Sequence, residues 1–411
     1  MRLFVALALV CSSAAAQSDA QELQDVRASY SAQATDQHKD VVIPFEQVNK
    51  NIFIQVTVGH AKPLWFVLDT GDKYAGIDLS IAKSLGLELA DPVAVGGGGK
   101  DTIMGNLLKN SSFSVAGLEG FSQPLFIAVP FDKLARSSGH EFAGLLGFDF
   151  ISQFVVEIDY PKKTITFHDK DAYQYRGSGE ILPISFNPAG HPQVRAQVID
   201  TGRAPLDGTF VVDLGSGSPL ILNSPFVEAE HLLDSNRPTI PWEGVSVGGG
   251  VSGSVGRLGG IKLGRFLLGE PVAIFTQAST GAFASQEAQG NIGAPVLERF
   301  KVILDYGRNR IILEPNSRFA EPFEYNRSGL YLASLGEDYK TFKVDAVAAH
   351  SPASEVGLKP GDTLTAIDGH AAADYTLSQL REMIQDAKEC DLTVERRKER
   401  LQIRLKPRRL I

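Results

Sequence analysis

A chain of 411 residues is long enough for two or three domains. It is 43% hydrophobic and 21% charged, the balance of a soluble globular protein. The formal charge of −8 leaves no overall basic field, so neither nucleic acid nor anionic lipid is an expected partner.

The chain opens with Arg2 and a continuous apolar run from Leu3 to Val10, and Ala14-Ala15-Ala16 place small residues before Gln17. This is the pattern of a cleaved signal peptide over residues 1–16, which implies an exported protein, periplasmic or extracellular. The run is too short for a transmembrane segment, and no later stretch is long enough. Val10 is not small, which argues against a lipoprotein anchored at Cys11. Past the cleavage point only Cys390 remains, so no internal disulfide can form. Residues 17–40 are polar, carry no apolar period, and read as a flexible leader.

From Val41 the pattern changes to short apolar runs broken by Gly, Pro, Asn and Asp, such as Ile52 to Val58, Leu64 to Leu68, Phe154 to Ile158 and Lys163 to Phe167. Runs of this length at this spacing predict strands of a mainly β protein. Helical pattern is sparse, at Ser80 to Gly86, about Ser224 to Leu233, and most clearly Leu377 to Ala387.

Two of the β units are copies of one another. Gly147 to Pro161 aligns without a gap on Gly293 to Gly307, bringing Phe154 onto Phe300 and Asp159-Tyr160 onto Asp305-Tyr306. Upstream, Phe66-Val-Leu-Asp69-Thr-Gly corresponds to Phe210-Val-Val-Asp213-Leu-Gly. The interval from Asp69 to Gly147 is 78 residues, and that from Asp213 to Gly293 is 80. Between them lie matching glycine runs, at 96–99 and 248–250. The units are expected to span 41–175 and 190–318.

Each copy ends a buried apolar strand on one Asp followed by x-Gly. A lone Asp-x-Gly commonly just ends a strand in a turn. Two at equivalent places in a duplicated fold can meet across a pseudo-twofold axis. Like charges in contact cannot both ionise, so such a pair shares a proton. One member can then act as general base on water while the other protonates a carbonyl oxygen. Titration belongs to the pair, and the sequence fixes neither role.

On these residues the chain resembles the pepsin and retropepsin superfamily of aspartic peptidases. The resemblance implies a two-lobed acid-protease β-barrel fold and catalysis by Asp69 and Asp213. The supporting active-site loops would be Thr70 and Gly71 in one lobe and Gly215 and Ser216 in the other. An apolar-apolar-Gly segment braces each loop, here Leu145-Leu146-Gly147 and Asn291-Ile292-Gly293. The two glycine runs stand where flaps would fold over a polypeptide substrate. No metal or other cofactor is expected.

Three positions depart from the family pattern. Leu214 stands where a Thr or Ser hydroxyl cross-links the loops. Asp72 replaces a Ser or Ala, and a third carboxylate there is expected to raise the pKa of the pair or disturb the water. Asn291 replaces an apolar brace residue. These departures keep an alternative open: a catalytically inactive, two-lobed peptide-binding protein with a separate interaction module.

Other motifs give way to plainer readings. Asp200-Thr-Gly202 falls in a hairpin turn when the repeats are aligned. Gly244-Val-Ser246-Val-Gly248 lacks the helix a nucleophile elbow needs. Gly96 to Lys100 lacks the spacing and the hydroxyl of a phosphate loop. The eight His are scattered singly, which disfavours zinc.

Residues 326–411 resemble the PDZ domains of exported bacterial proteases, through Ser328 to Leu332, Ser351-Pro-Ala to Gly357-Leu-Lys-Pro-Gly-Asp362, and Ile367-Asp-Gly. The resemblance implies that Gly329, Leu330, Tyr331 and Leu332 hold a peptide carboxylate, with the peptide adding as a strand to the sheet edge. A domain packed with no free groove is the alternative. The basic residues of the tail alternate with apolar ones and read as a solvated strand face.

Overall fold

The computed structural model describes residues 3–4 and 40–411, apart from 110, 119, 120, 122, 124, 235 and 236. The expected signal peptide and leader lie outside the described residues, save for Leu3–Phe4 and Asp40. Leu3–Phe4 runs parallel to Gly244 and Val245. Among the described residues no helix is long and apolar enough to cross a membrane.

The fold is mainly β, and both copies of the duplicated unit build the same local frame. In the first, a hairpin of Asn51–Val58 and Leu64–Leu68 runs into Asp69, and Gly144–Leu146 lies parallel to the second arm. In the second, Pro192–Ile199 and Leu206–Asp213 form the hairpin, and Gly290–Gly293 is the parallel brace. Each brace also pairs antiparallel with the next strand, Ala75–Asp78 or Leu220–Leu222. Phe66, Leu68, Phe210 and Val212 point into the core at 0 or 1% exposure, which makes these short strands worth forming. Burying such side chains contributes roughly 1.5–3 kcal/mol each.

The two units meet on a local twofold axis. Phe154–Asp159 pairs antiparallel with Phe300–Asp305, with Val156 opposite Leu304, Glu157 opposite Ile303 and Ile158 opposite Val302. The repeat alignment equates Val156 with Val302 and Ile158 with Leu304, so exchanging the copies leaves this register unchanged. Four further strands, Val41–Pro44, Thr164–Asp169, Arg310–Pro315 and Glu180–Phe186, extend this sheet on both sides.

The glycine runs sit at or beside the turns of two long hairpins, Glu88–Val95 with Ile103–Lys109 and Ile240–Ser246 with Gly249–Arg257. The two hairpin ends meet. Gly99 N donates to Val247 O at 2.9 Å, and Asp101 N donates to Gly248 O at 2.8 Å. A Cβ on Gly99 would stand 2.1 Å from the Gly248 carbonyl carbon, and Gly248 itself has φ +82°. No other residue type fits that crossing.

The helices are shorter than expected at two places, Leu79–Ser84 and Ser224–Ala229. The second stops early because His231 adopts φ +51°. Leu377–Asp386 ends one residue short of the expected range. A capping box of Thr376 and Gln379 starts it, and Leu377, Leu380 and Ile384 bury one face at helical spacing. That face packs on a sheet of Leu330–Leu335, Thr341–Val347, Thr363–Ile367, Cys390–Arg396 and Glu399–Leu405. Cys390 is buried in this core as a free thiol.

The C-terminal unit is docked on the body rather than tethered to it. Arg257 Nε donates to Ile411 O at 3.2 Å, and Arg409 pairs with Glu270 at 3.1 Å. Arg381 reaches from the helix to Asn49 Oδ1 (2.8 Å), Ser137 O (3.2 Å) and Leu332 O (2.7 Å).

Candidate active site

The two strand-end aspartates come together, and both are completely buried at 0% exposure. The turn geometry explains the glycine of each motif. A Cβ on Gly71 would lie 2.9 Å from Asp213 Oδ1, and one on Gly215 would lie 2.0 Å from Asp69 Oδ2. Each lobe thus presents a bare backbone to the carboxyl of the other. Gly71 N donates to Asp69 Oδ1 at 2.8 Å. The N–H groups of Gly215 and Ser216 also point at Asp213.

Thr70 ties the loops across the axis. Its hydroxyl donates to Val212 O at 2.6 Å and accepts the N–H of Leu214 at 2.9 Å. Leu214 has no hydroxyl to return the link, and its side chain sits in the core at 0% exposure. Asn51 makes a different cross-link, donating from Nδ2 to Leu214 O at 3.2 Å. The cross-brace is therefore retained with one hydroxyl instead of two.

Asn291 is no passive replacement. Its Nδ2 donates to Asp213 Oδ2 at 2.6 Å. The equivalent residue in the first lobe, Leu145, offers Asp69 no such donor. Burial pushes the Asp213 carboxyl up to about 6, against the pull of Asn291 and the loop N–H groups. Burial and the neighbouring Asp213 charge hold Asp69 well above the usual carboxylate range. Such a pair titrates as a unit. Its asymmetry nonetheless has a direction, because a donor stabilises the ionised form of the carboxyl it faces. Asp213 is the member favoured as carboxylate, and Asp69 the member that keeps the proton.

Asp72, also fully buried, makes a side-chain hydrogen bond to Asp69. The contact lowers the pKa of Asp69. The upward shift expected from a third carboxylate comes instead from burial and Asp213.

Residues 54–150 match the aspartyl protease family, and residues 343–396 match the PDZ domain family. The chain has a pepsin/retropepsin-like body and a C-terminal PDZ domain. Among solved structures it is similar to the aspartic proteinase from Irpex lacteus, at 15% identity and a TM-score of 0.43, over 70% of this chain and 100% of that one. No curated protein matches it.

In the PDZ domain, Leu330, Tyr331 and Leu332 are buried at 6, 4 and 3% exposure. The loop N–H groups already have partners: Gly329 N donates to Asn326 Oδ1 at 2.9 Å, and Leu330 N to Ser328 Oγ at 3.0 Å. Leu330–Leu335 pairs on one side only, and helix Asp132–Ser138 of the first lobe packs against it. The reading of the sequence missed Asn51, Asn326 and Arg381. Asn51 and Arg381 act through partners far along the chain, which leaves no local pattern. Asn326 instead turns the chain locally by accepting the N–H groups of Ser328 and Gly329, a signal the Asn-x-Ser-Gly run carried.

Decoy motifs fall where the repeat alignment puts them. Asp200-Thr201-Gly202 is a turn whose Asp binds Arg237 at 2.8 Å. Asp305 ends a strand and pairs with Arg308 and Arg310.

Proposed function

We propose that the protein is an exported aspartic endopeptidase, hydrolysing polypeptides with a water activated between Asp69 and Asp213, with a PDZ domain that binds peptide or protein substrate. The buried, unequal carboxyl pair at the lobe interface carries this reading. Asp213, ionised beside Asn291, takes a proton from water as its oxygen attacks the scissile carbonyl. Asp69 gives its proton to the carbonyl oxygen, forming a gem-diol. A hydroxyl proton of the gem-diol then returns to Asp69, Asp213 passes its proton to the nitrogen, and the C–N bond breaks. Low local dielectric strengthens each of these transfers.

Export is supported by the pattern of residues 1–16, and a mature N-terminus at Gln17 would be its signature by mass spectrometry. A peptide would add to the outer edge of Leu330–Leu335. Helix Asp132–Ser138 and Arg381 lie on that edge, so the docking contact must give way first.

The joined hairpin ends favour a second reading, a two-lobed binding protein that closes on peptide without cutting it. A peptide-library digest from about pH 3 to pH 8 separates the two. Cleavage at any pH supports the endopeptidase. Retention of library peptides with no cut at any pH supports the binding protein.

A further inference from the structure

Asp72 stands three residues after Asp69, at the end of the same turn, and is fully buried. Its carboxyl hydrogen-bonds Asp69, Asp69 hydrogen-bonds Asp213, and Asn291 donates to Asp213. The side chains form one chain in the order Asp72, Asp69, Asp213, Asn291. Ionised carboxylates only accept hydrogen bonds. Each carboxyl–carboxyl contact therefore holds a proton, and the two contacts hold two. Asn291 donates through Nδ2 to Asp213 Oδ2, and a donor favours the ionised form of the carboxyl it faces, so the favoured arrangement has Asp213 as the carboxylate. In that arrangement Asp72 O–H donates to Asp69, and Asp69 O–H donates to Asp213.

We propose that Asp72 is a third carboxyl of the active centre, a positioning residue kept as the neutral acid that donates to Asp69 and steadies it once Asp69 has given its proton to the substrate. The inference rests on the endopeptidase reading. The step balances without loss from Asp72. Asp69 releases a proton to the carbonyl oxygen, becomes a carboxylate, and accepts the Asp72 O–H until the gem-diol returns the proton.

Lys73 is the adjacent cation, and its ammonium lies over the Tyr74 ring at 5.4 Å. His191, near Lys73, is held at about 4 by burial and by the Lys73 charge, so it is neutral above that pH. Burial keeps the Tyr306 phenol near Asp69 neutral too. Asp149 follows Phe148, whose N–H donates to Asp72 O at 2.8 Å.

The test uses the full-length protein with Asp72→Ala, Asp72→Asn and Asp72→Ser. Alanine removes the donor, so the Asp69 proton is held more tightly. The expected result is a kcat loss of about 10-fold or more with KM within about 2-fold, and an alkaline limb moved to higher pH. Asparagine and serine restore a donor and are expected to restore both kcat and the limb. Unchanged kcat and pH profile in folded Asp72→Ala would overturn the proposal, as would asparagine and serine failing as alanine does. A carbon-13 titration of the aspartate carboxyls reads Asp72 without any turnover. Asp72 remaining protonated near neutral pH supports the proposal, and a carboxylate there overturns it whether or not the protein cuts peptides. Failure of the endopeptidase reading shows separately, as absence of cleavage by the unaltered protein.

Discussion

Asn291 Nδ2 donates to Asp213 Oδ2 at 2.6 Å, at the position where the first lobe has Leu145. A duplicated fold supplies two matching carboxyls, and this amide on Asp213, with Asp72 beside Asp69, makes them different. A hydrogen bond to a charged group contributes about 1.5–3 kcal/mol, and one pKa unit corresponds to about 1.36 kcal/mol.

Asn291→Leu is therefore expected to raise the Asp213 pKa by about one unit or more. The acid limb of kcat/KM, which reports protonation of Asp213, moves to higher pH by the same amount. A pH–rate profile of the variant checks this.

The pair also costs stability. The Asp213 carboxyl has a folded value of about 6 against an ordinary 3.8. Between those values the folded state binds more protons than the unfolded one, so stability is full below about pH 3.8 and is lost as pH rises through about 6. Asp213→Asn is expected to stabilise the protein by about 1–3 kcal/mol at pH 7 and much less at pH 4. Denaturant titrations at the two pH values check the difference.

Thr70 carries the cross-brace for both lobes, because Leu214 cannot reciprocate. Thr70→Val strands a buried carbonyl and a buried N–H. The expected loss is about 2–4 kcal/mol of stability, with activity falling further because the carboxyls separate. Thr70→Ser keeps the oxygen and is expected to recover most of both. Denaturation midpoints and kcat/KM on one substrate check the pair.

Arg381 is half-buried between the PDZ domain and the first lobe, and desolvation lowers its pKa to about 10. Arg381→Met leaves Ser137 O and Leu332 O without their guanidinium donor, at about 1–3 kcal/mol each. The docked edge is expected to loosen, with hydrogen exchange accelerating in 132–138 and 330–335 and staying unchanged around Asp69 and Asp213.

Much of the body was legible because duplication writes the same residues twice. The gapless match of Phe154 with Phe300 fixed the equivalent strands, and Asp69 with Asp213 fixed the candidate carboxyls. Asp72, Leu214 and Asn291 stood out as departures. Their consequences did not, since each depends on which atoms face it. Asn291 points at a carboxyl 78 residues away, and Gly98 N meets the Ser246 hydroxyl across 148 residues. The meeting of the two hairpin ends, the one-sided Thr70 brace and the inward-facing PDZ edge come from tertiary packing, which no local period records.

The central claim is that Asp69 and Asp213 together cut peptide bonds. Steady-state kinetics on a cleaved library peptide, comparing the unaltered protein with Asp69→Asn and Asp213→Asn, tests it most directly. The account predicts that each substitution lowers kcat/KM by about 1,000-fold or more while the variants remain folded. Cleavage at the unaltered rate in either folded variant would contradict it.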